Sequence, residues 1–457
     1  MKREFLMCCA VCMLGWQFSL AGDSTEVFQG GNARMLALGG SPANYYLVDY
    51  TNIFINPARL KEFSNLALIE VGTGFGSGTG YSANNQQYGA TFELSGITLG
   101  LVVGRREGPM FSENSYGYQS GGYFTACDYM KSALDSYLQN LLVISSSEPL
   151  TPLQLFSAFD VGNASVGVAI YRSSWSRDDN GTNSVSLGRT CSASLSQIGI
   201  KGGVLLPLRS TTMLDLALCL RLNRAASEYS NNNSGAPLTA SSFSANGYEV
   251  SFFGRMFHEL SPKVSLVPIV RVEMFYYEPE VSSTPFSNQL FPLPNTFVKR
   301  EYELGLGLQS RWGRSTSVLG VSIQYISLKN DAANNGGSKY TRTWFDLPKI
   351  NAGVEFSITS WLIGRAGYFK RFSTQTTYIE PLSPMPPTET AVSIEPGFLP
   401  SFGLTAAEQT LSLGIGIIID RFAFNGYLAE QMIGTGSYLL SGVQQSLFGV
   451  VSLSCHF

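Results

Sequence analysis

The stretch from Arg300 to Trp312 reads R-E-Y-E-L-G-L-G-L-Q-S-R-W. Tyr302, Leu304, Leu306, Leu308 and Trp312 share one parity, and Glu301, Glu303, Gly305, Gly307, Gln309 and Arg311 share the other. Successive side chains of a strand point to opposite faces, so alternation of this kind marks a strand with two unlike faces. One face is apolar with aromatic ends, the other charged and glycine-rich. A transmembrane barrel shows the first to lipid and the second to its lumen.

The pattern recurs. From Lys263 to Tyr277, Val264, Leu266, Val270, Val272, Met274 and Tyr276 oppose Lys263, Ser265, Arg271 and Glu273. From Tyr248 to His258, Tyr248, Val250, Phe252 and Met256 oppose Glu249, Ser251 and Arg255. From Thr410 to Asp420, Leu411, Leu413, Ile415, Ile417 and Ile419 oppose Ser412, Gly414, Gly416 and Asp420. Short links fall near Ser95-Gly96, Gly162-Asn163, Pro207 to Ser210, Leu260 to Lys263, Gly313 to Ser315, Thr359 and Asp420-Arg421. Long polar links fall near 105–152, 174–190, 223–243, 277–297, 329–344, 373–406 and 431–443. Short turns at one end and long loops at the other predict periplasmic turns and extracellular loops. About 16 strand candidates result, with 153–161 the least regular. The last runs from Gln445 to Phe457, where Leu447, Val451, Leu453, Cys455 and the terminal Phe457 share the outward parity.

The ends and the composition agree. Lys2 and Arg3 precede an apolar run from Phe5 to Leu20 that exits through Ser19-Leu20-Ala21, which reads as a signal peptide over residues 1–21. Its removal takes two bases and one acid and shifts the net charge from −3 to −4, so no nucleic-acid partner is implied. Charged residues are 14% of the chain, below the usual ~25%, while aromatics reach 12% and glycines number 47. Beyond residue 21 no run of ~20 apolar residues offers a helical span. Cys127, Cys191, Cys219 and Cys455 are scattered without metal-ligand spacing; they imply no metal site and leave room for one loop-to-loop disulfide.

Two regions are not wall. Residues 123–142 place Tyr123, Cys127, Met130, Leu134, Tyr137, Leu138 and Leu141 at spacings of three and four. This predicts an amphipathic helix in the outer loop 105–152, either packed on the barrel rim or serving as an apolar landing surface. The other region, residues 22–63, contains G-N-A-R-M-L-A-L-G-G-S-P-A-N-Y-Y-L-V-D-Y-T-N-I-F-I-N-P-A-R-L from Gly31 to Leu60. With Ala33-Arg34, Gly39-Gly40, Asp49 and Asn56-Pro57-Ala58 followed by Leu60, it resembles the N-terminal hatch of the outer-membrane long-chain fatty-acid transporter family. The barrel shuttle proteins of type IX secretion are relatives that share the pattern. The order of hatch, strand, hairpin and large outer loop matches as well. That family usually has 14 strands, two fewer than the count here. The resemblance implies a hatch-plugged barrel of 14–16 strands over 64–457, with outer-membrane lipid, a hydrophobic small molecule and the barrel assembly machinery as partners. Phe457 then resembles the assembly signal.

The residues of the hatch make physical sense on their own. Gly39 and Gly40 permit positive φ and close backbone approach, Pro57 fixes φ and extends Asn56, and the Asn56 amide can bond local backbone. Glu249, Arg255, Arg271, Glu273, Glu301, Glu303 and Arg311 all have inward parity on neighbouring strands. They form either a salt-bridged ladder that stiffens the lumen or a contact set for the hatch or a ligand carboxylate. Enzyme chemistry is not expected. The histidines are His258 and His456 alone, and Gly74-Phe75-Gly76-Ser77-Gly78 is not a nucleophile elbow. No cofactor is expected either, since the glycine pairs 305/307 and 414/416 lie inside strands. The sequence thus reads as an all-β outer-membrane barrel for passive uptake of hydrophobic molecules. A scaffold or shuttle that binds secreted or surface proteins with its outer loops is the alternative.

Overall fold

In the computed structural model, alternating sequence becomes a closed antiparallel cylinder. Residues 30–40, 44–72, 87–105, 152–180, 189–231, 240–283, 296–313, 315–331, 339–380, 388–394, 409–428 and 448–457 are described. The strands are β1 (Leu66–Gly72), β2 (Gln87–Leu94), β3 (Ile97–Val103), β4 (Leu153–Val161), β5 (Ala164–Asn180) and β6 (Arg189–Arg209). They continue as β7 (Thr212–Asn231), β8 (Ala240–Ser261), β9 (Val264–Ser283), β10 (Thr296–Trp312), β11 (Ser315–Asp331) and β12 (Lys339–Ser357). The last are β13 (Leu362–Glu380), β14 (Thr388–Ile394), β15 (Gln409–Ile419), β16 (Phe422–Leu428) and β17 (Phe448–His456). β1 pairs with β17 from Leu66↔His456 to Gly72↔Val450 and so closes the ring. β13 pairs with β15 over Leu362 to Lys370 and with β14 over Ser373 to Ile379. β14 is therefore a side strand, and sixteen staves remain.

The two faces fall as the alternation requires. Leu304, Leu306 and Leu308 are 62%, 53% and 46% exposed, whereas Glu301 and Glu303 are 0% and 2%. Outward Tyr302 and Trp312 lie ten positions apart. At ~3.3 Å per residue and a tilt of about 40°, that spans ~25 Å, the height of a lipid-facing band. Tyr302 meets Tyr325 at 6.4 Å, and Tyr248 stacks on Tyr276 at 5.3 Å, forming aromatic pairs along the outer edge of the band.

All seven short links are tight turns at one end, as at Ser95-Gly96, where both φ values are positive. The Phe457 amide donates to the Asn65 carbonyl at 3.0 Å, so both ends of the wall meet on that side. Segment 153–161 is a regular stave, with Ile97↔Phe159 and Leu153↔Arg172 pairing. The long links at 174–190, 223–243, 277–297, 329–344 and 373–406 are shorter than expected, because β5 to β13 run 17 to 22 residues. Beyond the lipid band these strands carry polar residues on both faces, as in Ser173 to Asn180. The ladder persists there, but the hydrophobic alternation that betrays it does not.

Candidate functional site

The inner face of this wall is met by residues 30–63. Helix α1 (Gly31–Ala37) is followed by two 3-10 turns, Tyr50–Phe54 and Pro57–Phe63. Gly39 has φ of +77° and ends the helix at a conformation that side chains resist, and the Gly40 amide donates to the Met35 carbonyl at 2.9 Å. Asp49 and Asn52 form a reciprocal capping box at the start of the first turn. Asn56 caps the second, its Oδ1 accepting from the Ala58 amide at 2.9 Å, with Pro57 in the first position.

Three buried carboxylates on the wall hold this segment. Asp215 of β7 accepts from Asn56 Nδ2 at 2.5 Å, from Arg59 Nε at 2.7 Å and from Arg255 Nε at 2.7 Å. Arg255 reaches further into the segment, donating to the Tyr45 carbonyl at 2.9 Å, the Leu47 carbonyl at 3.0 Å and Asn52 Oδ1 at 2.9 Å. Glu355 of β12 accepts from Arg34 Nε and Nη2, each at 2.9 Å, and from Arg365 Nε at 2.5 Å. Glu70 of β1 accepts from the Asn32 amide at 2.6 Å, the Tyr50 hydroxyl at 2.7 Å and the Ser452 hydroxyl at 3.1 Å, and also from Asn32 Nδ2 and Gln87 Nε2. Inside the segment, burial pushes the Asp49 carboxyl up, opposed by the Arg34 guanidinium and the Gly30 amide.

Shape complements charge. The ring of Tyr46 lies on Gly305 and Gly307 of β10 and Gly320 of β11, where a Cβ at any of the three would collide with it. Gly167 and Gly203 likewise leave room for Asn56-Pro57-Ala58. Around Tyr46 an apolar cluster joins Met35, Leu38, Tyr45 and Leu47 to Ala217, Phe253, Val267, Ile269 and Val318 of the wall. Next to Phe54 and beyond the top of β3, the Arg105 guanidinium lies 3.7 Å from the Phe54 ring centroid.

The inward charges divide. Glu249 pairs with Arg221 at 2.6 Å. Arg271 pairs with Glu301 and lies 3.4 Å from Glu303, which also holds Lys349 at 2.9 Å. Lys299 bridges Glu273 at 3.2 Å and Glu301 at 2.7 Å. These pairs form the ladder. Arg255 instead contacts the segment, and Arg271 does both, donating to the Tyr45 hydroxyl at 3.2 Å. Arg311 keeps the inward parity but sits one residue before Trp312 at the turn end, where it is exposed and outside the ladder. Phe457 is exposed, as its outward parity requires. Tyr123, Met130, Leu134, Tyr137 and Leu138 lie outside the described residues, as does the expected signal peptide. Cys219 and Cys455 are not joined in a disulfide. A cavity of about 10 Å³ lined by Gln154, Tyr171, Lys201, Cys219 and Arg221 has room for a single water.

Asp215, Glu355, Arg365, Glu70 and Tyr46 did not stand out in the sequence. Asp215 could have: it is a lone acid on the inward parity of Met213-Leu214-Asp215-Leu216-Ala217, a costly residue to bury without a purpose.

No family model matches the chain, and no curated protein matches it. Among solved structures, it is similar to the P. putida toluene transporter TodX, with 12% identity and a TM-score of 0.36 over 94% of this chain and 99% of that one. The CymD monoaromatic hydrocarbon channel gives 10% and 0.35 over 95% and 99%. The unliganded ferric citrate transporter FecA gives 10% and 0.34 over 80% and 66%. Likenesses this distant transfer no residue role and no ligand, so the functional reading rests on the geometry of the chain: a closed, lipid-facing barrel whose residues 30–63 are bonded to its inner wall.

Proposed function

We propose that the protein is an outer-membrane channel for passive uptake of hydrophobic small molecules and that residues 30–63 are its hatch. The observation that carries this reading is the way the anchoring charges are shared. Asp215 is held by Arg59 from the segment and by Arg255 from the wall. Glu355 is held by Arg34 from the segment and by Arg365 from the wall. Each segment arginine also owns a carboxylate within the segment: Arg34 has Asp49 at 3.0 Å and Arg59 has Glu62 at 2.7 Å. When the segment leaves the wall, every one of these charges keeps a partner. A buried pair that loses one partner outright costs ~3–5 kcal/mol. Shared pairs avoid that cost and make the plug detachable.

The apolar exterior and the closed ring support the outer membrane as the location, since a closed barrel satisfies all of its backbone groups in lipid. We assign no catalytic role. The test is uptake into proteoliposomes of a fluorescent long-chain fatty acid and of an alkylbenzene, by the parent and by the Arg34→Met/Arg59→Met variant. Passage by the parent, faster in the variant, supports the reading. A folded barrel that passes neither probe in either form overturns it and favours the scaffold alternative.

A further inference from the structure

Above the hatch contacts, one row of the inner wall has hydrogen-bonding capacity that nothing among the described residues uses. Ser173 of β5 pairs in register with Gln197 of β6, Gln197 with Asn223 of β7, Asn223 with Gly247 of β8, and Gly247 with Tyr277 of β9. The four side chains are 0%, 1%, 3% and 4% exposed. Ser173 Oγ, Gln197 Oε1, Asn223 Nδ2 and the Tyr277 hydroxyl are each buried without a hydrogen-bond partner. Folded proteins leave few such atoms, and each calls for an explanation such as a bound molecule. These four share one register row across five adjacent strands. Gln197 Nε2 donates to Asn223 Oδ1 at 2.6 Å, so the two amides orient one another. Reversing both would still leave one donor and one acceptor unused.

The chemistry of the row selects what it can hold. It carries no charge. The charged groups one row nearer the turns are already matched, Arg221 with Glu249 and Lys299 with Glu273 and Glu301. An anion would find no dedicated cation here, and a purely apolar molecule would leave all four atoms unsatisfied. At the row's end Tyr277 stacks on Phe275 with centroids 6.5 Å apart, and Phe275 meets Phe297 at 5.9 Å. These rings place buried apolar side chains beside the polar groups. Gly247, between Asn223 and Tyr277 in the register, contributes no side chain to the row. Outward neighbours Tyr248 and Tyr276 belong to the outer aromatic edge, so the row stands at the outer mouth of the lumen.

We infer that the row Ser173–Gln197–Asn223–Tyr277 is a capture subsite for the uncharged, hydroxyl- or carbonyl-bearing head of an amphipathic ligand whose apolar part rests on Phe275 and Phe297. This inference builds on the channel reading and narrows its substrate class. The test uses the full barrel in phosphatidylcholine nanodiscs and isothermal titration with octyl glucoside, octanoate and octylbenzene. The glucoside should bind most tightly. Tyr277→Phe and Asn223→Leu should each weaken it roughly 3- to 10-fold, the worth of one hydrogen bond, and leave octylbenzene unchanged. Tyr277→Phe removes a single oxygen and decides the matter alone if Asn223→Leu fails to assemble. Glucoside binding that is absent, or equal in parent and variants, overturns the subsite and leaves the row to ordered water. Octylbenzene passage without glucoside binding would remove the subsite and keep the channel. Glucoside binding sensitive to Tyr277→Phe, without passage of any solute, would keep the subsite and remove transport.

Discussion

Replacing Asp215 by alanine should loosen the segment from the wall and leave the wall standing. Asp215 accepts three hydrogen bonds, and two of them, from Asn56 at 2.5 Å and Arg59 at 2.7 Å, tie the segment to β7. The third donor, Arg255, would lose its one carboxylate. A hydrogen bond to a charged group is worth ~1.5–3 kcal/mol, so the two that tie the segment amount to ~3–6 kcal/mol. Arg59 retains Glu62, and Asn56 retains the Val204 and Leu216 carbonyls, which favours the lower end. At 1.4 kcal/mol per tenfold, the ratio of undocked to docked segment should rise about 10²- to 10³-fold. The ladder through Asp215 uses backbone alone, pairing Leu205 on one side and Arg255 on the other, so a heat-modifiable barrel should persist. Hydrogen exchange of peptides within 44–63 should accelerate, and single-channel recordings should show more frequent opening. Asp215→Asn, which keeps an acceptor oxygen without the charge, should fall between. A folded Asp215→Ala barrel with unchanged exchange and conductance would refute the anchoring role.

Gly320→Val should drive Tyr46 off its bed, an overpacking penalty of about 1–3 kcal/mol that exchange within 44–56 would report, and Tyr46→Ala in the same chain should relieve it; a lack of relief would mean the two do not meet. Cysteines at Asn232 and Asn335 should label on intact cells and one at Ser261 should not, because Ser261 ends β8 at the turn side; labelling at Ser261 would invert the topology. Deleting Phe457, whose amide bonds Asn65 and whose ring is exposed, should lower the yield of folded barrel in the outer membrane; an unchanged yield would make the terminal aromatic incidental.

The wall was legible because lipid and lumen impose opposite chemistry on alternate residues, and the turns were legible because they need residues such as Gly96, Gly162 and Gly313 at positive φ. The upper parts of β5 to β9 were not, since both of their faces are polar there and periodicity vanishes while pairing continues. β14 was hidden for a related reason: its pairing to β13 depends on β15 being too short to fill that edge, which no local pattern encodes. In the inner segment, Asn56-Pro57-Ala58 could be found because capping is local. Asp215 and Glu355 lie 159 and 321 residues from the groups they hold, Asn56 and Arg34, and only the closed ring brings them together. The glycines under Tyr46 read as generic small lumen residues for the same reason.

The anchors are unequal in a way that indicates which part of the segment moves. Residues 57–63 run directly into β1 through Ser64 and Asn65, and Phe63 also binds the wall, its carbonyl accepting from the Thr91 hydroxyl. That half cannot travel far without unpicking the wall. α1 has no such tether. It is held by Arg34 on Glu355, by the Asn32 amide on Glu70 at 2.6 Å, by the Ala33 amide on Ser452 at 3.1 Å and by the Ala37 carbonyl accepting from Ser412 at 3.2 Å. Gly30 and Gly31 donate to Asp49, which carries α1 on the 3-10 half and not on the wall. On the proposed hatch reading, the smallest opening releases Arg34 from Glu355 and Asn32 from Glu70 and swings 30–40 about the Asp49 contact, with Arg365 left to neutralise Glu355. The space vacated borders β13, β15, β16 and β17, on the side away from the fixed Asp215 anchor on β7. On that reading the segment opens along one wall and stays moored to the other, which limits how far it must refold to close again.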